Sequence, residues 1–206
     1  MVVLRSPTIQ STDLSTAFAS DLTRRLERAY DSTLLNELQI QINCLPLQAS
    51  SAVVAKQDEL DERGTELWNH ATRLRRDESD PKCTSKEDAA LQARVLCLLR
   101  AFSFLLLDTA GKHTTKGRQG KSCVRLMTVA LKAAKVCIGN NELSTATKIL
   151  ERAAEYQETL AGEEEGKIQR ESEPAHRLRA EYYVVRTALV SSSTSNCMGI
   201  IMTQVG

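Results

Sequence analysis

Apolar positions recur every three or four residues along most of the chain, the period of helices that each bury one face. Leu14, Phe18, Leu22 and Leu26 step by four, with Ala17 and Ala29 on the same stripe, and predict a first helix. Leu34, Leu35, Leu38 and Ile42 predict a second, stopped by Pro46, since proline lacks an N–H and pushes its predecessor out of the helical region. Leu60, Gly64, Leu67, Ala71 and Leu74 define a third, with Trp68 beside the stripe, closing before Asp77 to Lys82 and its Pro81 turn. Ser85, three residues before Asp88, has the form of a capping box with Asp in place of Glu. It opens a fourth helix through Leu91, Val95, Leu98, Phe102 and Leu105, whose face Leu96, Leu99 and Leu106 widen until it must pack on two sides. Beyond the loop from Gly111 to Gly120, a fifth helix carries Met127, Ala130, Ala134 and Cys137 on one face and Val124, Leu131 and Ile138 on another. Gly139-Asn140-Asn141 breaks it. Leu143, Ala146, Leu150, Ala153 and Leu160 mark a sixth helix, and Ala175, Leu178, Tyr182, Val185 and Leu189 a seventh that opens near Pro174. About seven helices and no strand pattern predict an all-α fold.

The connections narrow the architecture. A break of about three residues forces neighbouring helices antiparallel, so helices five and six form an αα-hairpin. Ala146 follows Ala134 by 12 residues, Leu150 comes four later and Ala153 three after that. These are the offsets of the small, small, large and small packing positions of a tetratricopeptide repeat. Cys137 stands where that repeat usually has an aromatic, and Glu158 replaces its common terminal proline. Two architectures stay open: antiparallel hairpins of a tetratricopeptide-like α-solenoid, and a compact helical bundle.

Composition fits a helical protein of one domain or slightly more. The 206 residues are 42% hydrophobic and only 4% aromatic, with 9 Gly and 4 Pro, too few turn formers for a many-stranded β protein. With 27 Lys and Arg against 26 Asp and Glu, the net charge of +1 argues against a histone-like polyanion binder. Met1 to Gln10 has no apolar core of a secretory signal. The longest apolar run, Val95 to Leu107, contains Arg100 and Ser103 and falls short of the roughly 20 residues that span a bilayer, so it reads as a core helix. Six widely spaced cysteines without a C-x-x-C pair read as reduced, packed thiols of a cytosolic or nuclear protein.

Motifs that imitate chemistry fail on order and context. Asp108-Thr109-Ala110-Gly111 looks like a GTPase switch and Gly120-Lys121-Ser122 like the end of a phosphate loop. Such a loop needs a glycine five residues before its second one and a preceding strand, yet position 115 is Thr115 and a helix precedes. His70, His113 and His176 stand too far apart for a helix-borne zinc site. No catalytic, cofactor-binding or metal-ligating residue is predicted, and no small-molecule substrate.

Charge order is more informative than net charge. From Thr109 to Asn141 there are seven cations and no acid, a net +7; from Glu151 to Glu173 eight acids face three cations, a net −5. These segments either solvate opposite edges of a hairpin, or Lys112, Lys116, Arg118, Lys121 and Arg125 contact DNA phosphates or an acidic partner. No aromatic lies between Thr109 and Asn141, which disfavours a single-strand stacking platform.

The string Leu60-Asp61-Glu62-Arg63-Gly64-Thr65-Glu66-Leu67-Trp68-Asn69, followed by Thr72-Arg73-Leu74, resembles a signature of the meiosis-specific sporulation TPR family of fungi, the Zip-four type. Leu45-Pro46, Arg94-Val95-Leu96 with Phe102 to Asp108, Ala130 to Ala134, the hairpin to Tyr156, Arg179 to Tyr183 and Arg186 to Leu189 follow in the family's order. The resemblance spans roughly residues 32 to 190 and makes Leu67, Trp68, Asn69, Arg73, Leu74, Tyr182 and Tyr183 its signature positions. It implies a non-enzymatic repeat scaffold on meiotic chromosomes in the nucleus. Such a scaffold would bind other crossover and chromosome-axis proteins in crossover formation, synaptonemal-complex assembly and chromosome segregation, with no cofactor and no membrane. The expected organisation is a loosely attached N-terminal helix at 1–30, a repeat region at 31–190, and a disordered or aberrant tail at 191–206. That tail carries no charge after Arg186 and reads as a truncated terminus.

Overall fold

The computed structural model describes residues 7–28, 30–48, 50–77, 85–111, 119–164 and 173–204, and among them every regular element is an α-helix. The fold is all-α. The eight helices fall into two units, residues 1–115 and residues 116–206.

The first unit holds α1 (Pro7–Leu26), α2 (Ser32–Cys44), α3 (Ser51–Ala55), α4 (Gln57–Asp77) and α5 (Lys86–Gly111). Its core is α5, buried from Val95 to Ala110 without interruption. A helix can be apolar all round only where neighbours cover every side, and α4, α2 and α3 pack against this one. By length and composition α5 could cross a membrane, but 72% of its most apolar 18-residue window is buried inside the structure. The two helices approach closely at Gly64 on α4, where a Cβ would stand 2.8 Å from Leu107 Cγ and 3.1 Å from the Ser103 carbonyl oxygen. The rest of the predicted α4 stripe, Leu60, Leu67 and Ala71, is buried with it, and Leu74 is half-buried.

Local signals set the helix ends. Asp31 caps α2, its carboxylate accepting from Leu34 N at 2.7 Å, and the helix stops at Cys44 because Leu45, before Pro46, is extended (φ −97°, ψ 156°). Ser50 caps α3 by accepting from Val53 N at 3.2 Å. This five-residue helix was not predicted, being too short to show a period. At α5 the Ser85 hydroxyl accepts from Asp88 N at 3.0 Å and donates to Asp88 Oδ2 at 2.8 Å. The carboxylate thus bonds the capping hydroxyl, where a full capping box would reach the backbone.

The first helix departs from its predicted stripe. Leu14 is 62% exposed and Ala17 is also exposed, while Ser15, Ala19, Leu22 and Leu26 are buried. Rotation by about one residue lets the small Ser15 and Ala19 take the close contacts, and Ser15 Oγ donates to Gln41 Oε1 on α2 at 3.3 Å. Nor is α1 loose. It packs on α3 and α4, sets Phe18 edge-on to Phe102 with centroids 5.5 Å apart, and pairs Asp13 with Lys56 at 2.5 Å and Arg25 with Glu37. Ala29 of the predicted stripe lies outside the described residues.

The second unit holds α6 (Gln119–Gly139), α7 (Leu143–Glu164) and α8 (Glu173–Gln204), and α8 packs on both others. The α6–α7 turn is a Schellman motif: Glu142 N donates to Cys137 O at 2.9 Å, Asn141 N donates to Ile138 O at 3.1 Å, and Asn141 has φ 59°. Glu142 O then accepts from Ala146 N at 3.0 Å, so one residue ends α6 and begins α7. The left-handed position belongs to Asn141, and Gly139 is ordinary helix with nothing within 4 Å of an added Cβ. In α8 the predicted stripe Ala175, Leu178, Tyr182, Val185 and Leu189 is the buried one. Its backbone stays helical to Gln204 through the segment predicted as a disordered or aberrant tail. Ser193 and Ser195 hydroxyls donate to the carbonyls of Leu189 and Ser191 at 2.9 Å.

Gly64→Ala should destabilise the protein by about 1–2 kcal/mol in urea denaturation, because overpacking against Leu107 and a fixed carbonyl outweighs the gain in helix propensity. An unchanged or raised midpoint would show that α4 and α5 are not this close. At the hairpin, Asn141→Ala should cost about 1 kcal/mol and Gly139→Ala should gain about 0.5–1 kcal/mol. The opposite order would mean that Gly139 makes the turn.

Candidate functional site

The signature positions of α4 span about two helical turns, and the structure divides them between core and surface. Leu67 is buried, Trp68 and Leu74 are half-buried, and Asn69 and Arg73 are exposed. Opposite Trp68 stands Arg100 of α5, 8% exposed, with its guanidinium carbon 5.6 Å from the indole centroid. A cation in a buried stretch of helix carries a large desolvation cost, which the π-face offsets in part. Sequence reasoning missed this pair. The signal was present as a lone arginine within the run Val95 to Leu107, but its partner is 32 positions away and on another helix.

Next to Trp68, His70 is half-buried and its Nε2 has no hydrogen-bond partner. Burial holds its pKa below the usual 6.5, the nearby Arg73 lowers it further, and Glu27 opposes both. Two half-buried ion pairs behave in the opposite sense. Lys56 is raised by its hydrogen bond to Asp13, and Arg25 by that to Glu37.

Tyr182 and Tyr183 sit on α8 in the other unit, their rings edge-to-face at 5.4 Å. Tyr182 is 4% exposed and belongs to the core, whereas Tyr183 is 51% exposed. Tyr183 shares its side of α8 with Val184 and the exposed Ala180 and Ala188, so α8 has apolar residues on two faces. The residues predicted to pack the repeat, Ala134 on α6 and Ala146, Leu150 and Ala153 on α7, are all buried.

Of the candidate phosphate contacts, Lys112, Lys116 and Arg118 lie outside the described residues. Lys121 falls in the first turn of α6, and Arg125 is exposed two turns into it. Asp108 and Thr109 of the switch-like motif are buried inside α5, Thr109 Oγ1 donating to Leu105 O at 2.7 Å. Among the described residues no group of three or more His, Cys, Asp or Glu side chains is placed to hold a metal ion. Cys97, Cys123 and Cys137 are buried thiols outside any disulfide, and Cys44 is exposed. Comparison of the chain with protein-family models, with curated proteins and with solved structures finds no match.

The depressed pKa of His70 gives a sign for pH dependence. The folded state binds its proton less readily than the unfolded chain, so stability should be full above about pH 6.5 and fall as pH drops through the lower folded value. Urea midpoints at pH 7.5 and 5.5 should therefore differ less in His70→Leu than in the parent. An equal drop in both would place the acid sensitivity elsewhere.

Proposed function

We propose that the chain is a non-enzymatic protein-interaction scaffold built from tetratricopeptide-like helical hairpins, acting with the crossover machinery on meiotic chromosomes in the nucleus. The observation that carries the scaffold half is α8. Its inner face rests on α6 and α7, while Tyr183, Val184 and Val190 leave large apolar groups 51–66% exposed. A helix apolar on two sides is what an array of stacked hairpins requires, each helix covering one neighbour and being covered by the next. The α6–α7 hairpin supports the same reading through its small buried residues at Ala134, Ala146 and Ala153 and its three-residue turn. The meiotic setting rests on the resemblance of the Leu67-Trp68-Asn69 region and its companion segments to the fungal sporulation family.

On this reading the partners are chromosome-axis and crossover proteins, held by surface contacts without small-molecule chemistry, cofactor or membrane. Affinity capture of the full chain from meiotic cells should recover such proteins. Tyr183→Asp with Val184→Asp should reduce recovery about tenfold, equivalent to about 1.4 kcal/mol, while leaving the helical circular dichroism unchanged. Recovery of no meiotic chromosome protein by the parent chain would sink the proposal.

A further inference from the structure

On α6 the exposed residues Arg125, Lys132 and Lys135 are separated by seven and three positions, within about 80° of one another around the helix and along about 15 Å of its length. No acid occurs on this helix or in the connection before it, from Thr109 to Asn141. We propose that this ridge of α6 binds the phosphate backbone of a DNA duplex, an inference independent of the scaffold reading.

Three observations separate a duplex from other polyanions. A protein partner is held mainly by apolar anchors at the centre of its interface, and among the described residues none of the large exposed hydrophobic side chains lies on α6 or α7. A single strand is held by base stacking, and α6 has no aromatic residue. What remains is a row of cations on a convex ridge, which suits the regular charge of a duplex backbone and carries no base readout.

The neighbouring groups are compatible with this. Lys132 is exposed and has no ion pair among the described residues. Lys135 donates to Glu181 of α8 at 2.6 Å, with the two side chains 51% and 31% exposed, and an ion pair so open to solvent is weak enough for phosphate to compete. Thr128, between the cations, turns its hydroxyl inward to Val124 O at 2.7 Å. The exposed acids Glu151, Glu155 and Glu158 form the outer row of α7 and would repel a backbone approaching from that side, so the duplex is directed to α6.

The test is fluorescence anisotropy of the full chain with a 20-bp duplex. Three contacts predict a log–log salt slope near −2.7, an affinity loss of about 40-fold between 50 and 200 mM salt. Arg125→Glu with Lys132→Glu should abolish binding at 50 mM. If that variant loses its helical spectrum, Arg125→Gln with Lys132→Gln should still lower the slope by about 2. Binding that survives these changes overturns the proposal. So does tighter binding of the same sequence as a single strand, or equal competition by a polyglutamate peptide at matched charge, which would assign the ridge to an acidic protein. Absence of salt-dependent binding at 50 mM overturns it as well.

Discussion

The contact of α4 with α5 at Gly64 is the constraint on which the first unit rests. Sixteen consecutive residues of α5 are buried, a run that includes Arg100, Ser103, Asp108 and Thr109 as well as leucines and phenylalanines. Such a helix is stable only if its backbone is satisfied internally and its polar side chains find partners inside the protein. Ser103 and Thr109 return their hydroxyls to carbonyls one turn back, at 2.7 Å each, and Arg100 lies over Trp68. That last contact exists because α4 lies close enough to α5 for its indole to reach across, and the missing side chain at Gly64 permits the approach. The same turn of α4 thus supplies both the gap and the aromatic group that fills the next space along.

The second unit depends on a different economy. Between α6 and α7 the chain reverses using Asn140, Asn141 and Glu142, each with its N–H bonded to a carbonyl of the last turn of α6. So short a connection holds two helices of 21 and 22 residues side by side, with alanines at 130, 133, 134, 146 and 153 all fully buried. Small residues let the axes approach, and α8 then closes one side with Leu178, Tyr182, Val185 and Leu189.

Surface character separates the functional ideas cleanly. Among the described residues of the second unit, the large exposed apolar side chains lie on α8, where they favour a protein neighbour, whereas the ridge of α6 is cationic and the outer row of α7 acidic. The two proposals together describe a scaffold that would hold proteins along one helix and a phosphate backbone along another. Its specificity would come from which faces are apolar and which are charged.

Sequence alone determined the helical class, the position of the Gly139–Asn141 turn, and the buried faces of α4, α7 and α8, because a 3.6-residue period and a break are local properties of the chain. It misjudged α1 by about one residue of rotation, since Leu14 and Leu26 both fit a helical stripe and only the neighbours decide whether Ser15 or Leu14 turns inward. It missed α3, which is shorter than two turns. The helical backbone from Ser191 to Gln204 was also hidden, because its polar residues run in a block from Ser191 to Asn196 and its apolar ones from Cys197 to Met202, so neither recurs with a helical period. The pairing of Trp68 with Arg100, the crowding at Gly64 and the orphaned nitrogen of His70 were decided by tertiary structure alone. Each depends on which side chains from distant helices meet in space, and packing between helices, unlike periodicity within one, leaves no regular spacing in the sequence.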